Sequence, residues 1–109
     1  MIEVKIKALS VNEAYRGRRF KTNKYKAFEQ ELWYLLPNKN IPKGKLEIYY
    51  KFGLSSKGSD YDNCIKAFQD ILQKKYVFND NLIYKATIEK EDVKKGEEYI
   101  KFEIKKLST

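Results

Sequence analysis

The 109-residue sequence contains no histidine and a single cysteine, Cys64. Without imidazole there is no histidine general base and no zinc site of the usual Cys/His type, and one thiol cannot close an intrachain disulfide. No apolar run approaches the about 18 residues that a membrane-spanning helix needs. Met1 leads into alternating Ile2, Val4 and Ile6 rather than into a secretion signal, so a cytoplasmic protein with no membrane partner is expected. Prolines (2) and glycines (5) are sparse, and no repeat, low-complexity tract or linker interrupts the chain, which reads as one domain over residues 1–109. Acids are also in deficit, 15 against 23 Lys and Arg, giving a net charge of +8 and a pI near 9.4. Such an excess suits a polyanionic partner. Any bound metal must accept oxygen ligands, which favours magnesium or manganese.

Against that basic background, carboxylates gather in one stretch, Ser59-Asp60-Tyr61-Asp62-Asn63-Cys64-Ile65-Lys66-Ala67-Phe68-Gln69-Asp70, with Asp80 following in Asn79-Asp80-Asn81. An α-helix wound from Asp62 to about residue 75 puts Asp62, Lys66 and Asp70 within an arc of roughly 80°. Cys64, Ile65, Phe68, Ile71 and Leu72 take the opposite, core-facing arc. Groups of this kind can hold a divalent cation beside a lysine able to meet a phosphate. The plainer reading is a Ser59-x-x-Asp62 capping box with an ordinary Asp62 to Lys66 pair on a wet surface. That reading leaves Asp60 and Asp80 unused. A calcium-hand loop is excluded, because Cys64, Ile65 and Ile71 occupy the positions where it requires an oxygen ligand, Gly and Glu.

In chain order, Ile2, Val4 and Ile6 predict a first strand. A basic loop follows, in which Arg16, Arg18, Arg19 and Lys21 interleave with Tyr15 and Phe20 around Gly17, a composition suited to phosphate forks and base stacking. Tyr25, Phe28, Leu32, Leu35 and Leu36 recur at helical spacing after a Thr22 or Asn23 cap and before Pro37, with Trp33 and Tyr34 expected to widen the packed face. Leu46, Ile48, Tyr50 and Phe52 alternate as a second strand. Leu82, Tyr84, Ala86 and Ile88 alternate as a third, and Ile100, Phe102 and Ile104 as a fourth. The expected fold class is α+β: a small single domain with a mixed or antiparallel four-stranded sheet and two main helices, in the order β-α-β-α-β-β.

The motif Asp60-x-Asp62-Asn63-x-x-Lys66-x-x-x-Asp70, with an acid about ten residues later ahead of a strand, resembles the RusA-type Holliday-junction resolvases, which are common in bacteriophages and prophages. Ser10-Val11-Asn12 followed by Tyr15-Arg16 is similar to the N-terminal segment of that family. The resemblance implies a homodimer that binds four-way DNA junctions and cuts two strands symmetrically with Mg2+ or Mn2+, and no small-molecule cofactor. Carried over, it makes Asp60, Asp62 and Asp80 metal-binding catalytic carboxylates and Lys66 the catalytic lysine. Asp70 and Asn63 would support the ligands from alongside, and the setting would be the cytoplasm of a bacterial cell or phage-infected host. The chain departs from the family pattern where Asn79 replaces the first of an Asp pair, and in lacking prolines before Ser10. Readings that share the basic surface are a branched-DNA or flap nuclease and a non-catalytic DNA-binding module.

Spacing raises one geometric question. A helix over 62 to 75 spans about 20 Å, and five extended residues reach at most about 16 to 18 Å back along it. Asp80 therefore completes the acid group either by a nearly taut return within one chain or from a partner subunit.

Overall fold

A computed structural model describes residues 1–17, 20–56 and 60–108. Among the described residues, strands and α-helices follow in the order β1 (Ile2–Val4), α1 (Val11–Ala14), β2 (Tyr15–Arg16), β3 (Phe20–Lys21), α2 (Asn23–Leu35), β4 (Leu46–Leu54), α3 (Ile65–Tyr76), β5 (Ile83–Asp92) and β6 (Tyr99–Lys106). The main sheet is mixed and four-stranded, in the order β1-β6-β4-β5, with β4 and β5 parallel and the other pairs antiparallel. This is the expected α+β class. The basic segment expected as a loop instead carries a small antiparallel ribbon, pairing Tyr15 with Lys21 and Arg16 with Phe20.

One face of the sheet is the core wall. Ile48, Tyr50 and Phe52 of β4 and Ile100, Phe102 and Ile104 of β6 are all buried there against Phe68, Ile71 and Leu72 of α3. The Phe68 ring meets Tyr50, Phe52 and Phe102 edge-on at centroid distances of 5.2, 6.0 and 5.5 Å, an arrangement favoured by the aromatic quadrupole. Thr22 caps α2, its hydroxyl accepting from the Tyr25 amide at 3.2 Å. The buried stripe of α2 is Tyr25, Phe28 and Leu32, with Leu36 just beyond. Leu35, Trp33 and Tyr34 do not join it, and Tyr34 is 88% exposed. Thirteen residues of helix present one stripe to α3 and the sheet, and these three lie outside it.

The third strand also departs from its simple alternation. The register slips between Leu46 and Glu47 of β4, where Ile83 and then Lys85 of β5 are their partners. One extra residue in β5 reverses which parity faces the core. Ile83 before the slip and Ile88 after it pack on the core, whereas Leu82 and Tyr84 are exposed.

The opposite sheet face is polar and laced across strands. Lys85 pairs with Glu47, Lys51 with Glu91, and both Lys5 and Lys101 with Glu3. Among the described residues its buried aromatic is Tyr99, whose ring lies against Gly53, its partner in the β4–β6 register. A Cβ on Gly53 would fall inside that ring. Burial and then the Glu91 carboxylate, which accepts from the phenol at 2.8 Å, push the Tyr99 hydroxyl pKa up to about 12.

Gly53→Ala is expected to cost about 1–3 kcal/mol by overpacking, read as a lower urea midpoint with an unchanged slope. In a Tyr99→Ala background the same change should cost much less, because the clash has been removed.

Candidate active site

β4 delivers the chain through Ser55 and Ser56 to Asp60, which sits in extended conformation (φ −82°, ψ 136°) just before a 3₁₀ turn at Tyr61–Cys64. The expected α-helix starts only at Ile65. The Asp60 side chain makes no capping hydrogen bond, and Asp60 and Asp62 are both exposed. The Asp60 carboxylate is therefore not spent on closing the helix end. Ser59, the other half of the predicted capping box, lies outside the described residues. Cys64 is buried, its thiol donating weakly to the Asp60 carbonyl at 3.9 Å. Burial pushes the thiol pKa up, Asp62 adds to the rise, and Lys90 opposes it. Asp62 and Lys90 thus act on one point. Lys90 lies opposite Phe52 on the core side of the sheet, which aims it toward the 3₁₀ turn from β5.

One turn into α3, the Lys66 ammonium donates to Asp70 Oδ2 at 3.2 Å. The same oxygen accepts the Tyr15 hydroxyl at 2.6 Å, and Lys66 lies 5.1 Å from the centroid of the Tyr15 ring. Burial first, then Asp70, raises the Tyr15 phenol pKa far above its usual value. Tyr15 therefore remains a proton donor across the working pH range.

A cleft of about 370 Å³ opens beside Asp60, lined among others by Ser10, Asn12, Glu13, Asn63 and Glu98. It brings the N-terminal Ser-x-Asn segment against the start of the acidic stretch, about fifty residues later in the sequence. Ser10 caps α1, its Oγ accepting from the Glu13 amide. Glu98 accepts from the Ser55 hydroxyl at 2.6 Å, and this bond holds its carboxyl below the usual carboxylate range.

Asp80 does not join these groups. Helix α3 ends where Val77 turns into the left-handed region (φ 53°), and the Asp80 amide is then held by Gln73 Oε1 at 2.8 Å. That ties its backbone to the side chain of Gln73, eight residues past Ile65 where α3 begins, roughly 12 Å along the helix axis. The Asp80 charge is felt at the Tyr50 phenol, whose pKa is raised by burial and secondarily by this carboxylate. Among the described residues no three acidic, histidine or cysteine side chains converge closely enough to hold a metal ion.

The ribbon carries the remaining predicted contacts. Arg16 is exposed, Phe20 is 74% exposed, and Lys21 lies 4.9 Å from the Tyr25 ring centroid. Arg18 and Arg19 lie outside the described residues.

The sequence matches the family model for endodeoxyribonuclease RusA over residues 5–105. The chain belongs to the RusA family. No curated protein matches it. The match places the chain among endodeoxyribonucleases that process Holliday junctions. It spans both the Ser-x-Asn segment and the acidic stretch that the fold brings to one cleft.

Three residues of this RusA-family site escaped the sequence reading. Tyr15 had a visible aromatic-basic context but no signal for its partner 55 residues away. Lys90 was hidden by the register slip in β5, and Glu98 by its place in a charged turn.

The turn that holds Asp80 carries local strain. Val77 is β-branched yet has positive φ, a conformation that costs an L-residue roughly 1–2 kcal/mol. Val77 is 85% exposed, so it has little packing to lose. Val77→Gly is expected to raise stability by about 0.5–1 kcal/mol net of glycine's own entropy cost, checked by thermal or urea unfolding.

Proposed function

We propose that this RusA-family protein is a Mg2+- or Mn2+-dependent nuclease that resolves four-way DNA junctions as a homodimer, each site combining Asp60 and Asp62 of one subunit with Asp80 of the other. The observation that carries this reading is the division of the acids: an exposed pair at one end of α3 and a third acid, its backbone amide held by Gln73, at the other. A two-fold axis can bring unlike ends of two identical chains together twice, producing two equivalent sites. Two equivalent sites match the approximate two-fold symmetry of a four-way junction.

The donor set fits a hard cation. Asp60 and Asp62 offer only oxygen ligands, and magnesium takes one or two carboxylates while retaining several waters. Such an ion supplies a more acidic bound water and charge neutralisation at the scissile phosphate. The protein's own residues do the rest. The Lys66 ammonium faces the charge that accumulates on phosphate oxygens or the leaving oxygen. Asp70 holds that ammonium in place, and Asn63 lines the cleft beside Asp60. Arg16, Arg18, Arg19 and Lys21 draw in the backbone phosphates, with Arg forks giving bidentate contacts.

The test is subunit complementation on a synthetic four-way junction with magnesium. Asp62→Asn and Asp80→Asn should each abolish cutting. Mixed dimers should recover nicking, since one of their two sites then has all three acids. No recovery from a verified mixed dimer would place Asp80 in the site of its own chain. Loss of all magnesium-dependent cutting by the unmutated protein would remove the nuclease reading itself.

Arg16→Gln should weaken junction binding measured in calcium and lower the slope of log affinity against log salt by about 1, as expected for one lost phosphate contact.

A further inference from the structure

We propose that Tyr15 is a positioning residue which, through Asp70, clamps the Lys66 ammonium and mechanically couples it to the basic ribbon. The inference rests on the nuclease reading for its consequence, but the clamp itself stands on contacts within the free protein.

Lys66 and Asp70 alone would be an ordinary helix-surface pair, with side chains 56% and 31% exposed. Pairs of that kind hold a four-torsion lysine only loosely. Here Asp70 is anchored by a second donor. The Tyr15 hydroxyl reaches the very oxygen that accepts from Lys66, at 2.6 Å. The tyrosine ring in turn provides a face for the ammonium at 5.1 Å, a favourable cation–π placement. Lys66 is therefore held on two sides by one residue and by the acid that residue fixes.

Tyr15 is itself held from behind. Its ring packs 5.3 Å from that of Tyr25, which is fully buried in α2. Its backbone pairs with Lys21 across the ribbon, and Thr22 closes the ribbon's base by donating to the Glu13 carbonyl at 2.6 Å. The next residue in the strand is Arg16, exposed and directed toward solvent partners. A phosphate gripped by Arg16 thus pulls on a strand whose neighbouring side chain sets the lysine. The ammonium is thus oriented before DNA arrives, by a residue of the same strand that would meet the phosphate.

Two variants separate the clamp from simple packing. Tyr15→Phe keeps the ring, its contact with Tyr25 and the cation–π face, and deletes only the hydroxyl. Asp70→Asn keeps the shape and removes the charge. In the free protein, acetylation of each lysine by an amine-reactive ester is followed by peptide mass spectrometry. Lys66 should label several-fold faster in both variants, while Lys43, remote from the site, should not change. On junction DNA in magnesium, Tyr15→Phe should lower the single-turnover rate at saturating protein by about tenfold, the value of one hydrogen bond to a charged acceptor. Affinity in calcium and melting temperature should stay at their unmutated values. The double variant should be no slower than the slower single variant, because both changes release the same lysine.

Unchanged labelling of Lys66 overturns the clamp. Faster labelling accompanied by additive rate losses, or by loss of affinity and melting temperature, overturns the positioning role in favour of general packing. If the unmutated protein fails to cut junctions, the nuclease reading falls, and the labelling result still decides whether Tyr15 and Asp70 hold Lys66.

Discussion

The parallel pairing of β4 with β5 is the constraint on which the placement of every acid depends. Parallel neighbours cannot be joined by a tight turn; the chain must cross the sheet and return before the second strand begins. Helix α3 is that crossover. It starts at the C-terminal end of β4, where Asp60 and Asp62 emerge, and it ends near the start of β5, where Asp80 emerges. Had β5 paired antiparallel to β4, Asp80 and the Asp60–Asp62 pair could have met at one sheet end. The strand direction sets what reads as a compact acidic motif at the two ends of α3.

Charge is arranged just as unevenly. On the polar sheet face, Lys5, Lys51, Lys85 and Lys101 are all matched by glutamates across or beside their strands. Those pairs cancel locally and are worth little individually. On the helical side cations lie over rings as well as beside acids: Lys21 and Lys74 over Tyr25, Lys66 over Tyr15, and Lys75 over Trp33, with Lys66 also paired to Asp70 and Lys74 to Glu29. A ring attracts a cation without neutralising it. The net +8 of the chain suits an approaching polyanion.

Much of this fold is legible in the sequence, because half-buried elements advertise their period. Leu46 to Phe52 and Ile100 to Ile104 alternate in sequence and bury the same residues in the structure, and Tyr25, Phe28, Leu32 and Leu36 keep helical spacing and form one packed stripe. Periodicity fails where burial is slight or the backbone irregular. β5 is an edge strand with no fully buried residue among its ten, so nothing in its composition marks the register slip that reverses its face. Nor does period report strand direction, and direction is what parted Asp80 from Asp60. The Lys66–Asp70 pair was legible because its spacing is local. Tyr15 was not, since a hydrogen bond spanning 55 residues has no local signature.

Dividing the acids between two ends of a helix also answers an electrostatic difficulty. Three carboxylates brought within about 4 Å of one another without a cation repel by about 1 kcal/mol per pair in water, and by several times more in a partly desolvated cleft. A domain of 109 residues has a total stability of only about 5–15 kcal/mol to set against such a cost. With Asp80 at the other end of α3, only the Asp60–Asp62 pair bears on the free chain, and both of those side chains are exposed to water. Under the proposed arrangement the full three-way repulsion arises only when two subunits and a cation meet, where the cation more than offsets it. The incomplete acid set in one chain is then a source of specificity: a lone subunit, already basic enough to approach DNA, lacks the ligands to cut it.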